Sequence, residues 1–288
     1  MTASTAWGHR LRLAIAAATV ALLSAQEPTG LTPGNAIERR IAGGEAHDYR
    51  LTLAAGEYAE IVVEQRGIDV TVQLLEAGGR VAAEFDSESR KQGHESAGLV
   101  ADTPTRYEVR VTPKYPKEAA AGYEIRLAEV RPATEGDRFL FEAHKLGVQA
   151  LTLDQTGKYD DAVSVTQRAL SLSEKAPGAG DAYTGYLLIR LGTLKRRMAD
   201  YAASEGFYLR AIAVSEKRFG REDPQTATAL LGLGMLYATT NQYAKAEPLL
   251  QEQLQIFERT LGLEHPALIT SLGYFSILHQ NRGDMERA

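Results

Sequence analysis

The 288-residue chain is 44% hydrophobic and 24% charged, the composition of a soluble globular protein and far from that of a disordered one. Its formal net charge is −5 and its 32 lysines and arginines are scattered, which excludes the basic stripe a nucleic-acid binder needs to displace counterions. Cysteine is absent, so disulfides, Cys-zinc sites, thiol nucleophiles and a lipidated cysteine are excluded together.

The opening stretch "GHRLRLAIAAATVALLSA" places Arg10 and Arg12 before an apolar run from Leu13 to Leu23 that ends in Ser24-Ala25. A charged start, a short apolar stretch and small residues at its end predict a signal peptide over residues 1–25, with export to the periplasm or outside the cell. About 11 apolar residues fall well short of the roughly 20 that span a bilayer, so no stable membrane insertion is expected after signal removal. No later stretch is suited to crossing a membrane.

Residues 31–131 follow a period of two. In "HDYRLTL", Tyr49, Leu51 and Leu53 alternate with polar neighbours, and "EIVVEQ" follows the turn "AAGEY". "IDVTVQLL" sets Val70, Val72 and Leu74 on one face, and Gly78-Gly79 turns the chain into "RVAAEF". "SESRKQGHESAG" reads as a polar loop. Beyond it, "TRYEVRVT" and "GYEIRLAEV" alternate Tyr107/Val109/Val111 and Tyr123/Ile125/Leu127. Short alternating runs rich in Val, Ile and Tyr, parted by glycine turns, predict an antiparallel β-sandwich of six or seven strands.

At Arg131 the pattern changes. Pro132 is followed by Thr134, a predicted N-cap with Asp137 three residues on, a variant of the capping box. From 132 to 288 apolar residues recur at helical spacing, so an all-α part begins near residue 132.

That part repeats itself. "GKYDDA" at 157–162, "ADYAAS" at 199–204, "NQYAKA" at 241–246 and "GDMERA" at 283–288 are copies of one motif. Tyr159, Tyr201, Tyr243 and Met285 stand 42 residues apart, as do Leu146, Leu188, Leu230 and Leu272. Four copies in register predict a solenoid of helix–turn–helix units, about three complete and a fourth cut short. In the third, "TATALLGLGMLYATT" is the first helix, with Gly232 and Gly234 where a neighbouring helix approaches closely. "AKAEPLLQEQLQIFERTLG" is the second helix, with Pro248 in its first turn.

No residue set carries catalysis or a cofactor. His94-Glu95 resembles half of an HExxH zinc motif, but Gly98 stands where the second ligand belongs, and His265 reads as a structural joint residue. "GLGML" at 232–236 lies inside a helix with no strand before it, so it is not a phosphate loop. There is no Gly-x-Ser-x-Gly elbow. Asp69, Asp86 and Glu88 have the chemistry for calcium, but read more simply as a solvated loop.

The repeat resembles the 42-residue tetratricopeptide type seen in kinesin light chains and many bacterial proteins. The residues that carry the likeness are Leu188, Leu191, Gly192, Tyr201 and Ala211, then Leu230, Leu233, Gly234, Tyr237 and Ala246. The first unit departs from it, with Gln149 in place of a leucine and "APGAGDAY" at the joint, and is expected to be an irregular cap. The alternating half is similar to the pre-peptidase C-terminal β-sandwich, through Asp69 to Leu74 and Gly122-Tyr123. The fold class implied is multidomain α and β: an antiparallel sandwich, then an all-α solenoid.

In such an array the first helices line a concave face where partner peptides lie. The resemblance implies a groove of Tyr186, Arg190, Thr193, Arg196 and Arg197, then Thr228, Leu231 and Met235, then Tyr274, Ile277 and Asn281. The arginines would suit an acidic or carboxylate-bearing peptide with an apolar anchor. The expected role is an exported protein–protein interaction scaffold with no catalysis of its own. Because Ala288 opens a helix by the repeat register, the chain is also expected to be a fragment, and it is similar to the front end of bacterial proteins ending in a caspase-like CHAT peptidase. That makes a regulatory region of a longer enzyme the alternative. A carbohydrate- or envelope-binding sandwich with the repeats as spacer is a third reading.

Overall fold

The computed structural model describes residues 28–282 apart from 77, 177, 179 and 180. The export signal expected at 1–25, the last copy of the repeat motif at 283–288 and three residues of the "APGAGDAY" joint lie outside the described residues.

Nine strands are described: β1 (Thr29–Gly30), β2 (Ala36–Ile41), β3 (His47–Leu53), β4 (Glu57–Arg66), β5 (Val70–Leu75), β6 (Val81–Phe85), β7 (Gln92–Ala101), β8 (Thr105–Pro113) and β9 (Ala121–Pro132). They form two facing sheets, β1-β3-β8-β5-β6 and β2-β9-β4-β7. All the named strands pair antiparallel except β1, which runs parallel to β3. The alternating residues meet in the middle as their period demands: Tyr49, Leu51 and Leu53 of one sheet and Tyr123, Ile125 and Leu127 of the other are all buried. The Tyr49 and Tyr123 hydroxyls hydrogen-bond across this core at 2.5 Å, and Tyr123 also bonds His47 Nδ1 at 2.7 Å.

Two segments differ from the sequence pattern. "AIERRI" forms β2 although only Ile41 is buried in it, because an edge strand needs backbone partners more than an apolar face. His94 and Glu95, expected in a loop, stand in β7, which pairs with β4 along its full length. The alternation there runs through Glu95, Ala97 and Leu99, and a buried carboxylate disguises it.

Seven helices follow: α1 (Glu135–Gln155), α2 (Tyr159–Ser173), α3 (Asp181–Arg197), α4 (Tyr201–Phe219), α5 (Pro224–Thr239), α6 (Tyr243–Leu261) and α7 (Pro266–Arg282). The capping box forms: Thr134 accepts from the Asp137 amide at 3.2 Å while the Asp137 carboxylate accepts from the Thr134 amide at 2.8 Å. Pro248 lies in the second turn of α6 rather than the first, so that helix begins a turn earlier and forgoes one internal hydrogen bond. First helices pack on first helices, α3 on α5 and α5 on α7, while α4 and α6 make no comparable contact with each other. The first helices are therefore the inner layer of the solenoid.

The two predicted small positions in α5 do different work. A Cβ on Gly234 would meet the Leu250 side chain of α6, its own partner helix. Gly232 instead faces the Tyr208 ring of α4, as does Gly192 of α3, where an added Cβ would stand 2.8 Å from the ring. Tyr208, only 1% exposed, thus lies between two glycines on successive first helices and bonds Thr193 Oγ1 at 3.0 Å. One repeat later the equivalent residue is the smaller Leu250, and Tyr274 replaces Gly232. Conversely, Ile269 and Leu272 of α7 are 76% and 52% exposed, whereas their register counterparts Ala227 and Leu230 are fully buried.

The joint between the halves is pinned. The Ala133 amide bonds Gly56 O at 2.8 Å, and Arg131 pairs with Asp137 at 2.5 Å while stacking over the Tyr58 ring at 4.1 Å. Helix α1 also packs on β6 and β7, with Phe141 reaching the sandwich core.

Because a methyl at residue 232 collides with the Tyr208 ring, Gly232→Ala should destabilise the repeats by about 1–3 kcal/mol. Gly206→Ala, in open space on α4, should be neutral or stabilise by up to about 1 kcal/mol. Thermal melts followed by circular dichroism at 222 nm check both; equal melting temperatures for the two variants would refute the ring-clasp account.

Candidate functional site

Register fixes which side chains face inward. Val148, Arg190, Gly232 and Tyr274 share one repeat position; Leu151, Thr193, Met235 and Ile277 share another. On this inner layer Tyr186 is 40% and Ile277 50% exposed, while Thr193, Thr228, Leu231, Met235 and Tyr274 are half-buried. Thr193 and Thr228 bond back to the Ile189 and Pro224 carbonyls of their own helices. Asn281 belongs to the last turn of α7.

The arginines are drawn inward by a residue that the repeat pattern does not flag. Asp154, buried near the end of α1, accepts from Arg190 Nη2 at 3.2 Å and also from Arg197 Nη1. Two of the three cations expected along the groove wall therefore share one internal carboxylate. Arg196 is half-buried and its Nε makes no hydrogen bond among the described residues.

The sandwich covers the start of the groove. At the repeat position of Tyr186, α1 carries His144, whose ring lies 4.4 Å from Phe85 of β6 and whose Nδ1 is 2.9 Å from Glu84 O. Burial pushes His144 down to about 4, so it is neutral. Tyr183 stacks on His144 at 3.7 Å and Tyr186 on Tyr183 at 5.5 Å, a ladder of rings leading from the sandwich into the solenoid. Tyr183 can lie so close to α1 because Gly147 beneath it has no side chain.

Farther along, the segment between β6 and β7 touches the third unit. Gln225 Nε2 at the start of α5 donates to Ser87 O at 2.5 Å, and Arg90 approaches Asp223 at 3.9 Å. Tyr115 of the β8–β9 connection meets His265 edge-on at 5.4 Å. The sandwich thus rests on α1 at one side and on the third unit at the other, arching over α3. Beneath the arch is a cleft of about 710 Å³ lined from both halves. A shallower hollow of about 410 Å³ beside Arg39 and Arg66 lies on the outer edge of the sandwich, away from the groove.

The segment that makes the arch is held by buried acids. Glu95, fully buried, accepts from the Ser87 amide and hydroxyl at 2.9 and 3.0 Å and from the Glu88 amide at 2.5 Å. Burial nevertheless outweighs these bonds and raises its pKa to about 8. Asp69 is also fully buried, not on a solvated loop, and burial raises it to about 7. Lys114 lies 2.8 Å from Asp86 and 3.9 Å from Asp69, so a lysine ammonium supplies the positive charge beside these two acids. Among the described residues no group of three or more potential ligands is arranged to hold a metal.

A family model described as tetratricopeptide repeat matches residues 142–217, 183–252 and 225–288. Among solved structures, the chain is similar to BtubC (BKLC) from P. vanneervenii, with 18% identity over 51% of this chain and 59% of that one and a TM-score of 0.46. It is also similar to a protein of nearly identical TPR-like repeats from Podosopora anserina described as a kinesin light chain, with 19% identity over 48% and 65% of the two chains and a TM-score of 0.44. The pre-peptidase C-terminal domain of a Bacillus anthracis collagenase matches with 21% identity over 37% of this chain and 96% of that domain, with a TM-score of 0.30. The chain thus spans less than two thirds of the first two structures. A search of curated proteins finds no match.

Glu95 and Asp69 hold their protons more tightly folded than unfolded, so the stability they confer is complete below about pH 4 and is lost as pH rises through about 7 to 8. Asp137 has the opposite sign. Burial alone would raise it, but hydrogen bonds from Arg131 and Thr134 hold it at about 2, so its contribution fades only below about pH 4. The melting temperature of the chain should fall between pH 5 and pH 9, and Glu95→Gln should flatten that fall. A flat profile for the unmodified chain would contradict the burial of these two acids.

Proposed function

Because the chain belongs to the tetratricopeptide repeat family, we propose that it is a protein–protein interaction scaffold whose concave inner layer takes a peptide or protein partner. One observation carries this reading: Tyr186 of α3, Leu231 and Met235 of α5, and Tyr274 and Ile277 of α7 leave apolar surface accessible on successive first helices, Met235 and Ile277 at the same repeat position. Apolar anchors set in a concave polar surround are what peptide recognition requires. Function then rests on binding geometry rather than on a reactive group. Export is part of the proposal, supported by Arg10, Arg12 and the apolar run to Leu23.

A photo-crosslinking amino acid at Met235 or Ile277 should give discrete adducts in an extract of the source organism, and the same group at Leu209, exposed on α4, should not. Equal labelling from Leu209, or none from the groove, would overturn the assignment. Residues 1–30 fused to a β-lactamase lacking its own leader should confer ampicillin resistance on a bacterial host, and Arg10→Glu with Arg12→Glu should weaken it; no resistance from the unaltered fusion would sink the export proposal.

A further inference from the structure

We propose that the cleft under the arch is a distinct binding site, built jointly by the sandwich and the repeats, for an extended peptide segment bearing a lysine or arginine. The inference rests on the scaffold reading above and names a partner chemistry for the covered end of the groove.

The first argument is charge. Six carboxylates line the cleft against three cations, and one of the six, Asp137, is already paired with Arg131 from outside the lining. Two of the cations are committed: Lys114 lies 2.8 Å from Asp86, and Arg90 holds Glu88 through two bonds of 2.8 Å; the third, Arg218, lies 5.8 Å from the Phe219 ring and offsets one carboxylate. Of the carboxylates, Glu60 accepts only a hydroxyl, from Ser96 at 2.6 Å, and Glu84 only an amide, from Gln73 at 2.8 Å. Among the described residues the ion pairs of the cleft carboxylates belong to Asp86, Glu88, Asp137 and Asp223, and none to Glu60 or Glu84. Asp223 caps α5 through the Gln225 amide at 2.9 Å and meets Arg90 only at 3.9 Å. His144, neutral through burial, offsets none of this. An excess of negative charge in a part-enclosed, low-dielectric space favours an entering cation.

The second argument is the floor. Tyr183 and Tyr186 stack at 5.5 Å with a 14° tilt, and Tyr186 keeps 40% of its surface open. Burial is the main reason the Tyr186 hydroxyl stands above its ordinary value; the Arg190 and Lys114 cations oppose it, and Glu84 and Asp86 add to it. An aromatic face bordered by carboxylates is the environment in which a guanidinium or ammonium gains from both ring and charge. The volume, about 710 Å³, exceeds one side chain, which points to a length of peptide rather than a free amine. No half of the chain supplies this alone: Glu60 and Glu84 come from β4 and β6, the tyrosines from α3 and Asp223 from the α5 cap.

Fluorescence anisotropy on the full chain tests it, with two labelled twelve-residue Gly/Ser/Leu peptides that differ only in carrying four lysines or four glutamates. The lysine peptide should bind, and bind more weakly as salt is raised. Its affinity should fall at least tenfold with Glu84→Gln plus Asp223→Asn, changes that keep the hydrogen-bonding shapes and the helix cap, and again with Tyr186→Ala. Failure of the lysine peptide to bind the unaltered chain, equal or tighter binding of the glutamate peptide, or affinity unchanged in both variants would each overturn the proposal. Groove adducts from Met235 without lysine-peptide binding would leave the scaffold standing and remove only the cleft. Lysine-peptide binding without groove adducts would do the reverse.

Discussion

Helix α1 has two faces to bury, and the arrangement of everything else depends on how it does so. As the first helix of the first repeat it packs on α2 through Ala143, Leu146 and Ala150, as its counterparts do in later units. It has no preceding unit to cover its remaining apolar surface. A solenoid end left bare exposes core residues to water, the usual remedy being a polar cap. Here the remedy is divided. Gln149 is exposed where later units carry the buried Leu191 and Leu233, while Phe141 and His144 go under the sandwich. The β-domain is therefore the N-terminal cap of the repeats as well as a domain in its own right.

The joint allows this because it has little freedom. β9 runs to Pro132 and α1 starts at Glu135, so only two residues separate sheet from helix. The Ala133 amide is tied to Gly56, the helix start is closed by the Thr134–Asp137 box, and Arg131 links that box to the Tyr58 ring. Each bond is modest alone, but together they set the direction in which α1 leaves the sheet. That direction lets the segment after β6 reach the third unit. Glu95 then keeps the segment in shape from inside the sandwich, linking a buried acid in one domain to the accessibility of a groove in the other.

Within the repeats, size and charge are matched locally rather than by consensus. Tyr208 needs glycine at both 192 and 232, whereas Leu250 in the next unit needs only Gly234 beneath it. Asp154 gathers Arg190 and Arg197 across the first two units, which reduces the positive character of the groove at that end. The charge presented to a partner depends on such internal pairings, so it differs from the charge counted along the inner face.

The sequence by itself determined the existence of both halves, because each rests on local periodicity: alternation in Tyr49, Leu51 and Leu53, and the 42-residue interval from Tyr159 onward. It also determined the capping box at Thr134, since that obeys a short-range backbone rule, and it marked Gly232 and Gly234 as points of close approach without saying that Tyr208 and Leu250 are what approach them. It was silent wherever a residue is explained by another far along the chain. "AIERRI" has no buried face and is a strand only because β9 lies beside it. Glu95 reads as loop polarity until Ser87 and Glu88 are seen around it. Asp154 reads as one more surface acid until α3 brings two arginines to it. The ring ladder from Phe85 to Tyr186 joins residues roughly a hundred positions apart, and the cleft it floors exists only because two domains close on one another. Periodicity is a property of neighbours in the chain; burial, pairing and charge at a site are properties of neighbours in space, and only the tertiary structure decides who those are.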